Sequence, residues 1–293
     1  MTHTVTVGLD GSAASLAATD WAAREAASRA ASLRLVCVRD NTPYPYAALA
    51  RTEADFERAR RVCREAADRV ALRWPELGTS TQTPAGRPPS VLAEASEESE
   101  LLVLGTRAMG RLRAHLVGSV ALRTVPHAAC PVVLVRAGTA PEGPAGDGGP
   151  AGRVVLGLGD GDAPADVVGH AFGTAARWGS PLLVLHVRRP SPLLLADVGD
   201  DDGDPEGAGA TGVVAAELAE RLLPWREKYP DVPVTARTVT GSPAERLVEA
   251  AETAALVVVG RRVTYTGPGA HVGPVAQVVM HHATAPVAVV PHR

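Results

Sequence analysis

The 293-residue sequence predicts an α/β protein built as two tandem doubly wound, parallel-sheet domains of Rossmann-like type. Three observations carry this: the chain repeats itself, each repeat alternates short apolar runs with helix-forming stretches, and glycine-bounded loops follow those runs. Residues 5–38 align without a gap on 154–187 at an offset of 149, with nine identities in 34 positions. Residues 86–135 align on 241–290 at an offset of 155, with 19 identities in 50. Self-similarity on this scale marks a duplicated structural unit. The expected division is an N-terminal domain over 1–137, a Gly/Pro/Ala-rich linker over 138–152 and a C-terminal domain over 153–293.

Each copy reads as strand, helix, strand, helix, strand, glycine loop, helix, strand. "TVTVGL" and "RVVLGL" are short β-branched and leucine runs that stop at Gly/Asp turns. An alanine-rich helix is expected over 12–31, supported by the i,i+4 pairs Asp20–Arg24 and Glu25–Arg29. "LRLVCV" and "PLLVLHV" are second strands. The charged stretch that follows in the first copy forms a helix with Phe56, Val62, Cys63, Ala66 and Val70 on one stripe. "ELLVLG" and "ALVVVG" are continuous apolar runs, as in strands buried on both faces of a parallel sheet. "PVVLVR" and "PVAVVP" close the copies; left as apolar edges they would invite aggregation, so the two are expected to pack together within the chain. Asp10, Val38 and Gly105 fall at the carboxyl ends of their strands, where open α/β sheets bind ligands.

Composition narrows the functional classes. A hydrophobic content of 46% supports sizeable cores, and with aromatics at only 3% these must be built from Ala, Val and Leu. A formal charge of −3 argues against a dedicated nucleic-acid binder. The three cysteines, Cys37, Cys63 and Cys130, match neither a disulfide framework nor metal-ligand spacing and point to a reducing, cytoplasmic setting. No run approaches transmembrane length and no signal-peptide pattern opens the sequence, so no membrane partner is expected.

The loop "GTRAMGRLRAHLVGS" (105–119) lies between a strand end and a helix start. Glycines at its ends permit close backbone approaches, a helix N-terminus suits phosphate, and Ser119 adds a hydroxyl. Arg107, Arg111 and Arg113 supply positive charge, although each also fits a solvated face. On spacing alone, an anion site and a plain connecting loop fit equally. The P-loop pattern is missing, since the only lysine is Lys228, and "GLGDGD" (157–162) carries Asp162 where GxGxxG needs its third glycine.

An Asp after the first strand, an HV-like second strand, G-x2-G-x9-G-(S/T) before a helix, and the endings "HAACPVVLVR" and "HATAPVAVVP" resemble the universal stress protein family, in two tandem copies. The resemblance implies an adenine nucleotide alpha-hydrolase-like fold and, in ATP-binding members, a site at the strand ends. Carried over by position, it places Asp10 and Val38 against adenosine, and Leu104, Gly105, Gly118, Ser119 and Val120 along the phosphates of ATP, with Mg2+ entering only with ATP. It also implies pairing through the closing strands, here as an intrachain pseudo-dimer, and leaves room for a homodimer. The first copy departs once, with Ala108 at the middle glycine and Gly110 nearby. The second departs further: Gly159 replaces the Asp, although Asp160 is adjacent, Val263 replaces the middle glycine and Pro274 the Ser/Thr, removing a hydroxyl and an N–H. Nucleotide is therefore expected in the first copy only.

Other candidates weigh less. "DVGDDDGDPEG" (197–207) lacks the first and last carboxylates of a calcium loop, with Val198 and Gly209 in those places. His281 and His282 are adjacent and point apart on a helix, and Cys130 reads as packing. Trp21, Trp74, Trp178 and Trp225 read as core or interface, and no catalytic Ser/His/Asp set or paired carboxylates stand out. Three readings follow: a nucleotide-responsive stress-response module, an interaction module that has lost nucleotide, and a weak ATPase for which no general base is found.

Overall fold

Fourteen strands and eight α-helices alternate along a computed structural model that describes residues 3–40, 50–106, 118–138, 152–159, 164–188, 206–261, 263–264 and 271–292. The first half runs β1 (Thr4–Gly8), α1 (Ala13–Ser28), β2 (Ser32–Val36), β3 (Arg39–Asp40), α2 (Ala50–Arg73), β4 (Thr79–Gln82), β5 (Ala85–Gly86), α3 (Pro88–Ala95), β6 (Leu101–Thr106), α4 (Ser119–Thr124) and β7 (Val132–Arg136). The second runs β8 (Arg153–Leu158), α5 (Ala165–Trp178), β9 (Leu182–Arg188), α6 (Glu206–Lys228), β10 (Val234–Thr240), α7 (Pro243–Ala251), β11 (Ala254–Arg261), β12 (Val263–Thr264), β13 (His271–Val272), α8 (Pro274–His282) and β14 (Val287–Pro291).

Ten of the strands form one sheet in the order β10-β9-β8-β11-β14-β7-β6-β1-β2-β4. Pairing is parallel within each half, and β14 and β7 meet antiparallel, with Val287 opposite Leu134 and Val289 opposite Val132. The carboxyl ends of the two sets of strands therefore lie on opposite edges of the sheet. The closing strands, buried over Val132–Val135 and Val287–Val290, face each other rather than solvent.

Side chains from alternate strand positions feed two cores, one on each face. Val5, Val7, Leu101 and Val103 pack under α1, α2, α5 and α6; Leu102, Leu104, Val257 and Val259 pack under α3, α4, α7 and α8. Both clusters run through both halves. Trp21 of α1 meets Trp178 of α5 edge-on, ring centroids 6.1 Å apart, so two of the four tryptophans sit where the halves join. Arginines reinforce the junction: Arg136 donates to the carbonyls of Met280 and His281 at the end of α8, and Arg261 donates to those of Val125 and Ala128 after α4. A cation at carbonyls left open where a helix ends is a favourable arrangement.

Four elements in each half go beyond the expected pattern: β3, β4, β5 and α3 in the first, β10, α7, β12 and β13 in the second. β4, "TSTQ", is exposed at every position and takes its place by pairing with β2; β10 pairs with β9 and also rests Val234, Ala236 and Val239, half-buried, on the cores. The short helices α3 and α7 precede β6 and β11. The first helix begins as expected, with Ser12 Oγ capping Ser15 N at 3.3 Å, and ends at Ser28 before Ala30, whose φ of 51° breaks the helix. Glu25 pairs with Arg29 as expected, and Asp20 is held from α2 by Arg69, through Nε at 2.7 Å and Nη2 at 2.5 Å.

Candidate functional site

A cleft of about 420 Å³ opens at the carboxyl ends of the first-half strands. Its place follows from topology. From β1 the chain steps through β2 to β4 on one side, then returns to β6 and β7 on the other. The order reverses between β1 and β6, and a crevice forms there because the connections leave in opposite directions. The volume lies within the ordinary range for small-molecule sites, about 300–1,000 Å³.

All seven residues proposed from sequence line this one cleft: Asp10, Val38, Leu104, Gly105, Gly118, Ser119 and Val120. Asp10 follows β1 and accepts a hydrogen bond from Ser12 N at 2.9 Å, which turns the chain into α1. Beyond β2, Cys37 N donates to Gln82 O and Arg39 N to Pro84 O, so strand alternation turns the intervening Val38 peptide away from β4. Arg107, Ala108, Gly110, Arg111 and Arg113 lie outside the described residues.

The two glycines differ. A Cβ on Gly105 would stand 2.5 Å from the Ala14 carbonyl and 2.6 Å from Ser15 N. That glycine is required by the packing of α1 on the end of β6. Gly118 has φ −60° and ψ 150°, open to any residue, and a Cβ there would meet nothing within 4 Å among the described residues. Neither packing nor backbone conformation calls for glycine at 118, which leaves an unobstructed stretch of backbone on the cleft wall beside Ser119.

The wall also holds residues that the sequence did not propose for the site. Ala59 and Val62 of α2, with Pro88 and Leu92 of α3, make an apolar side, and Arg39, Asp40, Asp55 and Arg58 bring charge of both signs. Arg39 Nε donates to Thr83 O at 3.0 Å, and its guanidinium lies 4.8 Å from the centre of the Phe56 ring. No local motif could have found Asp55, Arg58, Ala59 and Val62, because the lean of α2 over the strand ends is a tertiary fact, whereas Arg39 and Asp40 follow Val38 directly along the chain in β3.

The second half keeps the scaffold and changes the chemistry. Gly159 stands where Asp10 does, and α8 opens on Pro274, with no N–H at its first position. Val263–Thr264 pairs antiparallel with His271–Val272, so the position of the middle glycine belongs to a small ladder. His186, buried, occupies the place of Cys37. The acidic stretch 197–205 lies outside the described residues, and Glu206 onward is helix. Among the described residues no three His, Cys, Asp or Glu side chains gather in a metal-holding group, and no helix is long and apolar enough to cross a membrane.

Comparison with known proteins agrees with the doubled unit. The model of the universal stress protein family matches residues 1–136 and again 151–291. Universal stress protein Rv1996 of Mycobacterium tuberculosis (strain ATCC 25618 / H37Rv) is 33% identical over 310 residues, covering 97% of this chain and 94% of its own length. A universal stress protein of Mycolicibacterium smegmatis is 37% identical over 300 residues, covering 98% and 96%. The crystal structure of a universal stress protein from Archaeoglobus fulgidus DSM 4304 shares the fold, with a TM-score of 0.69 over 98% of both chains at 15% identity. Matched in each half and against relatives along nearly their full length, the chain belongs to the universal stress protein family.

Proposed function

We propose that the first half binds an adenine nucleotide, ATP with any Mg2+ carried on its phosphates, and that the chain works as a nucleotide-responsive stress module rather than as an enzyme. One observation carries the reading: the seven residues chosen from sequence surround a single cleft at the switch point of the sheet. The apolar side formed by Val38, Ala59, Val62 and Leu92 suits a purine, Asp10 suits ribose hydroxyls, and the open backbone at Gly118 with Ser119 suits phosphate. The second half, with Gly159 and Pro274 in place of Asp10 and Ser119, binds no triphosphate. In this reading the pairing of β7 with β14 makes the chain an intrachain pseudo-dimer of domains 1–137 and 153–293, joined by 138–152 and working in the cytoplasm.

Releasing small molecules from purified protein by denaturation and identifying them tests the ligand, and calorimetric titration with ATP tests the count. One site per chain is expected. Ala108, at the position of a family glycine, favours a second reading in which the chain acts only through protein contacts. If neither wild type nor Ala108→Gly binds any adenine nucleotide at millimolar concentration, that second reading replaces the first.

A further inference from the structure

Behind the wall of the cleft two thiols meet. Cys37 follows β2, and its N–H donates to Gln82 O at 3.0 Å. Cys63 stands in the middle of α2, with Sγ 3.7 Å from the same carbonyl and 4.0 Å from Leu35 O. Both thiols belong to the same buried core on this face of the sheet, beside the Gln82 carbonyl. Both side chains are buried, but only Cys37 lines the cleft. The Cys37 thiol favours a thiolate on Cys63 and lowers its pKa, while Cys63, reinforced by burial, raises that of Cys37. Cys130, far from this pair in sequence and close to the closing strand, is instead pushed up to about 12 by burial. A thiolate beside a second thiol is the arrangement that oxidises to a disulfide, and reactivity follows thiolate character and access. The second half carries no cysteine, so the pair belongs to the first half alone.

We propose that Cys37 and Cys63 are a reversible oxidation site, closing to a disulfide when a peroxide enters the cleft. The thiolate sulfur attacks one peroxide oxygen and breaks the O–O bond; the other oxygen leaves as hydroxide and takes up a proton. The attacking sulfur is then a sulfenic acid. The neighbouring thiol attacks that sulfur, the S–S bond forms, and the departing hydroxide leaves with the thiol's proton as water. The two sulfurs together give up two electrons, and with hydrogen peroxide the products are one disulfide and two waters. An S–S bond is about 2.05 Å long, so the sulfurs must approach further by side-chain rotation. The bond ties the strand end that carries Val38 to the helix that carries Ala59 and Val62, two walls of the same cleft.

The test uses the full-length native chain without added nucleotide, so it stands apart from the outcome of ATP titration. The protein is exposed to hydrogen peroxide, quenched, unfolded without reductant, and analysed by thiol titration, intact mass and peptide mapping. The thiol count is expected to fall from three to one, with the mass lower by two hydrogens and the Cys37 and Cys63 peptides linked. Dithiothreitol should restore all three, and C130S should fall from two thiols to none. Three thiols persisting under peroxide that oxidises a small dithiol control would overturn the proposal. So would oxidation that stops at sulfinic or sulfonic acid on Cys37 or Cys63, or a disulfide formed only between chains.

Discussion

Glu25 of α1 and Trp178 of α5 are joined across the two halves, the indole Nε1 donating to Glu25 Oε2 at 2.9 Å. The other carboxylate oxygen takes Arg29 of its own helix at 2.7 Å and Arg177 of α5 at 2.9 Å. Burial raises the pKa of this carboxyl, but Arg29, Arg177 and Trp178 outweigh burial and hold it below the usual carboxylate range. Glu25→Ala should destabilise the protein strongly, because two arginines would lose their shared counter-charge; removing one partner of a buried pair costs about 3–5 kcal/mol. Glu25→Gln, which keeps hydrogen-bonding atoms, should cost less. Urea denaturation measures both, and a loss under about 0.5 kcal/mol for the alanine variant would count against any such role.

Acid should act on the same junction. His170 of α5 has a pKa lowered to about 3, first by burial and then by repulsion from Arg29. In the unfolded chain this imidazole takes a proton near pH 6.5, whereas the folded chain refuses it until about pH 3. The unfolded state binds the extra proton throughout that interval, so stability falls as pH drops from about 6.5 towards 3. His170→Gln should flatten the fall in melting temperature between pH 6.5 and 5, above the range where carboxylates protonate. An unchanged slope would show that the imidazole already accepts its proton in the fold.

Gly105 and Gly118 should respond oppositely to the same substitution. Gly105→Ala drives a Cβ into the α1 backbone at 2.5 Å and should cost about 1–3 kcal/mol, in the manner of overpacked cores. Gly118→Ala meets open space and should leave stability within about 0.5 kcal/mol. Its effect should appear only in ATP affinity, where a methyl group stands between backbone and phosphate. Thermal denaturation with and without ATP separates the two, and a stability loss at 118 would mean that the fold itself needs that glycine.

Ser119→Ala should weaken ATP more than adenosine, since only the former reaches the start of α4. A hydrogen bond to a charged group contributes about 1.5–3 kcal/mol, so a loss of roughly ten-fold or more in ATP affinity is expected. Asp10→Ala should weaken both ligands alike. Titration of the two ligands against each variant reads this directly, and equal losses at Ser119 would move the phosphates elsewhere.

The sequence made the doubling and the buried strands legible because both are written in local pattern: "ELLVLG" becomes β6, buried at all but one position. The strand β4 escaped because Thr79, Ser80, Thr81 and Gln82 are polar and exposed, and only β2 makes them a strand. The meeting of seven chosen residues at one cleft was foreseeable because strand ends converge at a switch point. Asp55, Arg58 and Leu92 were not, since they reach the cleft through helix placement that no spacing encodes. Asp20 teaches the same lesson: its i+4 neighbour is Arg24, yet it is Arg69 from another helix that holds it bidentately.

The antiparallel seam of β7 and β14 lies within a single polypeptide, and this changes what mutation can do. When two identical subunits share such a seam, every codon change is made twice, and both ends of the assembly must tolerate it. Here the two sides of the seam are encoded separately. Val287–Val290 can keep the complementary edge for β7 while Gly159 and Pro274 diverge from their counterparts without touching Asp10 or Ser119. Tandem encoding thus lets one half specialise as a scaffold while the other retains its own selective history.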